Sequence, residues 1–245
     1  MTLSRSARLA PLLSILAMAA CGESGESGTA ATTAADTPAA EASSAQQSAD
    51  AQPAEPEMIA APPGSKAADE MAIGDPDAPL TITEFASVTC PGCAAFHSSA
   101  FPAIKEELIE TGQVRFIYKE FPTPPVRYSQ AGFILARCAA TEAGSDAYFA
   151  MVDALYKTQR NWVYGNDTAG ALRNIAAQAG ITGEDFDRCF RREDIRDAII
   201  ASVEEGRDLG LTGTPSFVVD GEELQLRGTP DEIVETIRAE TEKRS

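Results

Sequence analysis

The stretch FASVTCPGCAAFH, Phe85 to His97, sets Cys90 and Cys93 three residues apart between an apolar run and a segment of helical character. Three uses of such a pair compete. A structural zinc site needs about four ligands; this pair supplies two, His97 is the only histidine of the chain, and no second CxxC exists. A purely structural staple across so tight a loop constrains little of the unfolded chain. A redox couple has local physics in its favour. Pro91 suits the first helical position, which makes Cys90 the N-cap, beside unpaired backbone N–H groups and the positive end of the helix dipole. That setting favours a thiolate at Cys90. Cys93, one turn in, is the more buried thiol and the natural resolving partner. Redox is the preferred reading; metal and staple stay open.

Working outward, LTITEF (80–85) reads as a strand preceded by the turn chemistry of GDPDAP. Residues 91–110 carry Phe101, Ile104 and Leu108 at helical spacing, and VRFIYKEF (114–121) is a second strand. TPP at 123–125 closes this unit. Residues 126–210 hold no good strand; helical patterns cover 126–141, 146–158, 168–179 and 194–209, with a shorter one at 184–192. Trp162 and Tyr164 fall in a loop of this block and read as local packing. SFVVDGEELQL then pairs two short strands across Asp220-Gly221. A last helix opens with Thr229 as N-cap and Pro230 at its first position. The order is strand, helix, strand, helical block, hairpin, helix.

This combination resembles the DsbA-like thiol-disulfide oxidoreductases of the thioredoxin superfamily. The resemblance rests on SVTCPGCAAFH, the following helix with Pro102, the strand VRFIYKEFP, the helical insertion and G-T-P-S-F, and spans about residues 72–242. It implies an α/β thioredoxin fold with an inserted all-helical subdomain. It also implies that Cys90 forms the mixed disulfide, that Cys93 resolves it, and that Pro215 packs in cis against the pair. Thr214, Pro91 and Gly92 then border the substrate. Read locally, Thr214-Pro215 lies just before a strand and lacks one N–H, which leaves the preceding backbone open to an incoming peptide.

Glu84 stands six residues before Cys90, where the family carries a buried acid, and shares a strand face with Ile82. A carboxylate there is placed to accept the Cys93 proton, with Lys119 on the next strand as its partner; the alternative is an exposed edge acid. His97 is read as a packing or capping residue. Gly92 departs from the Pro-His of the most oxidising relatives and offers no side chain to a thiolate. Some relatives pair cysteines in the helical block, so the resemblance implies a structural Cys138–Cys189 disulfide; two separately buried thiols are the alternative.

The N-terminus reads as an export signal over residues 1–20, with Arg5 and Arg8 ahead of LAPLLSILAMAA. The run LAMAAC resembles the lipobox of bacterial lipoproteins, with Cys21 as the acylated residue; Met18 departs from the usual Leu, and simple cleavage after Ala19 is the alternative. Lipidation of Cys21 would leave the other four cysteines as an even set, as expected in an oxidising compartment. Residues 21–70 are expected to form a disordered acidic linker, carrying nine acids against Lys66 over 22–70, and 71–245 the folded domain. A net charge of -17 argues against nucleic acid and anionic membrane surfaces as partners.

Together these readings predict a monomeric, lipid-anchored enzyme on the periplasmic side of a bacterial membrane that oxidises thiols of exported proteins. The redox group is the Cys90–Cys93 disulfide itself, with no cofactor and no metal. A quinone-linked membrane protein of the DsbB or vitamin-K-epoxide-reductase type would regenerate it. Gly22 after Cys21 slightly favours the outer membrane, and a soluble exported form is the alternative. Two rival functions stand beside this one: a reductase or isomerase of the same fold, and a binding module without redox turnover.

Overall fold

The computed structural model describes residues 57–244. The signal segment and Cys21 lie outside them. The expected linker does not run to residue 70. Ile59 bridges to Arg192, its N–H donating to Arg191 O at 2.7 Å, and Ala67 is fully buried. The folded part therefore reaches back to residue 57, earlier than the expected start at 71.

A five-stranded sheet, ordered β1-β3-β2-β4-β5, is built from β1 (Met71–Ile73), β2 (Leu80–Ala86), β3 (Val114–Glu120), β4 (Ser216–Val219) and β5 (Glu222–Leu224). β2 and β3 are parallel, and the other pairs are antiparallel. The parallel pair needs a crossover. It is supplied by α1 (Pro91–Ser99), α2 (Phe101–Ile104) and a π-helical turn over Lys105–Ile109. The single helix expected over 91–110 is thus broken. Pro102 has no N–H to return to Ser98, which ends the regular ladder there.

The block between β3 and β4 is helical as expected: α3 (Val126–Ala143), α4 (Ser145–Lys157), α5 (Gln159–Val163), α6 (Thr168–Gln178), α7 (Glu184–Cys189) and α8 (Glu193–Asp208). α9 (Pro230–Glu242) starts with a complete capping box, in which Glu232 N–H donates to Thr229 Oγ1 and Thr229 N–H to Glu232 Oε2. Asp220 and Gly221 both have positive φ, 51° and 84°, as the two-residue turn between β4 and β5 requires.

Side-chain alternation gives the sheet two faces. Leu80, Ile82, Val114, Phe116, Phe217 and Val219 form one apolar cluster with Phe96, Ile104, Leu108 and the Ile233 and Ile237 positions of α9. A larger cluster joins Tyr118, Val88 and Cys93 to Phe133, Tyr148, Leu155, Trp162 and Ile195 of the helical block. On the opposite face, α8 lies so close that a Cβ on Gly206 would sit 2.8 Å from the Phe121 ring and 3.0 Å from Phe85. The helical block therefore roofs the end of the sheet where the cysteine pair sits.

Candidate active site

The site starts at the C-terminal end of β2. Cys90 has the extended backbone of an N-cap (φ -76°, ψ 122°), Pro91 follows at the first helical position, and the Cys93 N–H points at Cys90 Sγ at 3.5 Å. Cys90 N–H donates to Ser87 O at 2.9 Å, turning the chain from strand to helix. Gln159 of α5 holds the turn from above, its Nε2 donating to Val88 O at 2.9 Å and Cys90 O at 3.0 Å. Ser87 Oγ pairs with Ser129 Oγ at 2.7 Å and Thr89 Oγ1 at 3.0 Å, and Thr89 Oγ1 donates to Thr123 O. The loop is thus tied to α5, to α3 and to the segment that joins β3 to α3. Neither Gln159 nor Ser129 carries a sequence signal that would have singled it out.

Thr214 and Pro215 face the pair, and their peptide bond is cis, as is Pro124-Pro125. The Cys90 thiol lies 3.3 Å from Thr214 O. A Cβ at Gly92 would stand 3.4 Å from Pro215 Cδ and 3.6 Å from Cys90 Sγ, so Gly92 leaves the cleft between helix and proline open. The two sulfurs differ sharply in environment. The Cys90 thiol is lowered from 9.0 to about 5, first by the hydrogen bond from Cys93, then by Thr214 and by the N–H groups of Cys93 and Gly92, against a partial burial that opposes it. Thr214 Oγ1 has no partner among the described residues, so its hydroxyl is free to donate once Cys90 ionises. The Cys93 thiol is pushed far up, first by its burial, then by its hydrogen bond to Cys90 and by the nearby negative charge of Glu84. One thiol is held ionised and exposed to reactants; the other is held protonated inside.

Glu84 is fully buried beneath this pair. Its partner is not Lys119. The register sets Glu84 opposite Tyr118 and Phe85 opposite Lys119, so Lys119 points from the other face and pairs with Glu205 at 2.8 Å. Glu84 Oε2 instead meets His97 Nε2 at 2.7 Å, while Oε1 is buried without a partner among the described residues. His97 is one turn beyond Cys93 on α1, on the side that faces the sheet. A second buried acid, Glu120, shares this strand face and is fully matched, with two bonds from Arg137 at 2.6 and 2.9 Å and one from Tyr148 at 2.8 Å. Arg137 also donates to Ala67 O and Asp69 O, fixing the segment ahead of β1. The unequal treatment of the two carboxylates marks Glu84 as the chemically available one.

Cys138 and Cys189 are joined as a disulfide across the helical block. Trp162 lies on α5 rather than in a loop, fully buried, its Nε1–H donating to Leu155 O at 2.8 Å. Tyr164 is exposed. Among the described residues no group of three or more His, Cys, Asp or Glu could hold a metal, and no helix is long and apolar enough to cross a membrane.

The family model described as Thioredoxin matches residues 66–239. Disulfide bond formation protein D of Bacillus subtilis is 26% identical over 176 residues, 69% of this chain and 75% of that protein. A Rickettsia bellii protein with a provisional protein-disulfide oxidoreductase name is 29% identical over 153 residues, 62% of this chain. That match covers 57% of the Rickettsia protein, so this chain spans little more than half the length of that relative. Among solved structures, α-DsbA1 of Wolbachia pipientis is 26% identical with a TM-score of 0.63, over 72% of this chain and 92% of that one. BdbD of Bacillus subtilis, at 22% identity and a TM-score of 0.62, shares the fold over 76% of this chain and 99% of its own.

Proposed function

Because the chain belongs to the thioredoxin family, and to its DsbA-like members, we propose that it is a protein thiol-disulfide oxidoreductase that oxidises thiols of exported proteins. The observation that carries this reading is the split between the two sulfurs, Cys90 lowered to about 5 and Cys93 pushed up. A thiolate stabilised in the reduced form makes the disulfide a better oxidant and makes Cys90 a good leaving group.

In this scheme a substrate thiolate attacks Cys90 Sγ, the Cys90–Cys93 bond breaks, and the departing Cys93 sulfur takes up a proton. A second substrate thiolate attacks the substrate sulfur of the mixed disulfide and expels Cys90 as thiolate. The substrate gains a disulfide and the protein holds the two electrons as Cys90 and Cys93. A quinone-linked membrane partner would accept them, with Glu84 taking the Cys93 proton as Cys93 attacks. Thr214, Pro91 and Gly92 border the path of the incoming peptide. The site acts through its own sulfurs and calls for no cofactor. Placement on the periplasmic side, with lipid on Cys21 and a monomeric domain, belongs to the same proposal.

The test is oxidation of a reduced, unfolded protein by stoichiometric disulfide-form enzyme, with Cys90→Ser as control. Rapid oxidation that Cys90→Ser abolishes supports the reading. An equilibrium with glutathione that leaves the pair as reducing as thioredoxin, about -270 mV, would assign it to reduction instead. Full activity of Cys90→Ser in the cell would point to a binding module.

A further inference from the structure

We infer that His97, acting through Glu84, carries the Cys93 proton between the buried floor of the site and solvent. This rests on the redox reading above. In that cycle one proton goes onto Cys93 when the disulfide opens and one comes off when it closes. Cys93 is 0% exposed and so is Glu84, so neither exchanges protons with water directly. Glu84 has two oxygens with distinct surroundings: Oε1 is buried with no partner among the described residues, and Oε2 is 2.7 Å from His97 Nε2. The His97 side chain is only 6% exposed, yet it lines two cavities between the α1–α2 segment and α4, of about 860 and 750 Å³. It is the described contact of Glu84 that reaches open space.

The ring is held for this task. It stacks on Tyr156 with centroids 4.6 Å apart and an angle of 27°, and packs on Phe101 at 4.6 Å. The neighbouring hydroxyls do not compete as carriers. Tyr118 and Tyr156 bond each other at 2.7 Å, and burial keeps both protonated. The ionisable groups around the ring are Glu84 and Tyr118 from the sheet, Asp153, Tyr156 and Lys157 from α4, and Cys93 from α1, with Lys105, Glu110, Asp146 and Arg160 at the cavity rims. On closure of the disulfide, with the ring carrying its hydrogen on Nδ1 and Nε2 bare, Cys93 gives its proton to the Glu84 carboxylate, and Glu84 passes a proton to His97 Nε2. The ring releases one from its other nitrogen to cavity water. The Cys93 thiolate forms the bond to Cys90 Sγ as the bond from Cys90 to its mixed-disulfide partner breaks, and that partner leaves with the electron pair. Opening runs the same path in reverse.

The experiment loads Cys90 with glutathione and measures the rate at which Cys93 displaces it, across pH, in wild type, His97→Gln and His97→Ala. His97→Gln keeps a hydrogen-bonding amide beside Glu84 but cannot relay a proton. The expected result is displacement slowed on the order of 10²-fold, the low end for loss of a proton-transfer group, with the Cys90 thiolate titration unmoved. Added imidazole, small enough for the cavities, is expected to restore the rate in either variant. Wild-type displacement in His97→Gln overturns the inference, as does a slowing that imidazole does not relieve, which would mark His97 as packing only. If wild type itself fails to displace glutathione, the redox reading falls rather than the role of His97.

Discussion

Ionisation of Cys90 makes the reduced protein's stability depend on pH in a defined direction. The thiol is lowered from 9.0 to about 5 in the folded state. An acid with a depressed pKa stabilises the fold fully above its unfolded value and loses that contribution as pH falls through the folded one. The window therefore runs from pH 5 to 9. The disulfide form has no such group, and Cys93, pushed upward in the folded chain, stays protonated there throughout this range and in the unfolded chain below about pH 8. At neutral pH about half of the window is in use, which at full strength is about 3 kcal/mol. Cys90 is only half-buried, and solvent screening reduces this to roughly 1–2 kcal/mol. In redox language the disulfide becomes roughly 20–45 mV more oxidising than it would be with an unperturbed thiol. The assay is thermal unfolding of the reduced and disulfide forms across this range. The reduced form is expected to gain on the disulfide form by roughly 2–8 °C between about pH 5 and pH 7. A difference titration of thiolate absorbance, wild type minus Cys90→Ser, fixes the folded pKa independently. A Cys90 pKa near the free value of about 8.5, with parallel melting curves at every pH, would refute the reasoning.

Three further outcomes follow from the surrounding structure. Arg137→Met leaves Glu120 buried without its cation and is expected to cost about 3–5 kcal/mol in denaturant unfolding; a combined Glu120→Gln exchange should recover much of that, and the absence of any recovery would count against the pair as the cause. Replacing Cys138 and Cys189 by serine opens a cross-link between residues 51 apart and is expected to lower stability by about 4 kcal/mol, while the Cys90 titration stays in place. Gln159→Ala strips the donor from Val88 O and Cys90 O; a loss of about 1–3 kcal/mol, with earlier hydrogen exchange in the residues around Cys90, is expected, and unchanged exchange there would contradict its holding role.

What could be read in advance divides along physical lines. The four longer helices of the inserted block, α3, α4, α6 and α8, came out within a residue or two because their ends are written locally, in the Gly144 and Gly180 turns and in the spacing of apolar positions, as Thr229-Pro230 writes the start of α9; α7 stops three residues short of the expected 192, and α5 was read as a loop. β1 was not foreseen: three residues, Met71 to Ile73, are too few for alternation to show. The reach of the fold into 57–70 was hidden for a related reason. That stretch has little apolar bulk and is held from far along the chain, by Arg137 donating to Ala67 O and Asp69 O, by Arg192 donating to Ser65 Oγ and by Glu193 N–H donating to Ile59 O. The burial of Glu84 was legible from its shared face with Ile82. Its partner was not, because choosing His97 over Lys119 needs the β2–β3 register and the rotation of α1 above the sheet, which only tertiary packing sets.

The Cys138–Cys189 cross-link gives the proposed activity a self-referential start. A newly made copy leaves its ribosome with these residues as thiols, so each molecule is born as a client for the kind of reaction it would later perform. The Cys90–Cys93 pair stands apart from this cross-link, so a copy charged by the membrane partner before its own cross-link closes would already close it in the next. A pool supplied with disulfide-form protein would cross-link faster, whereas a chain with serine at both positions would show no difference.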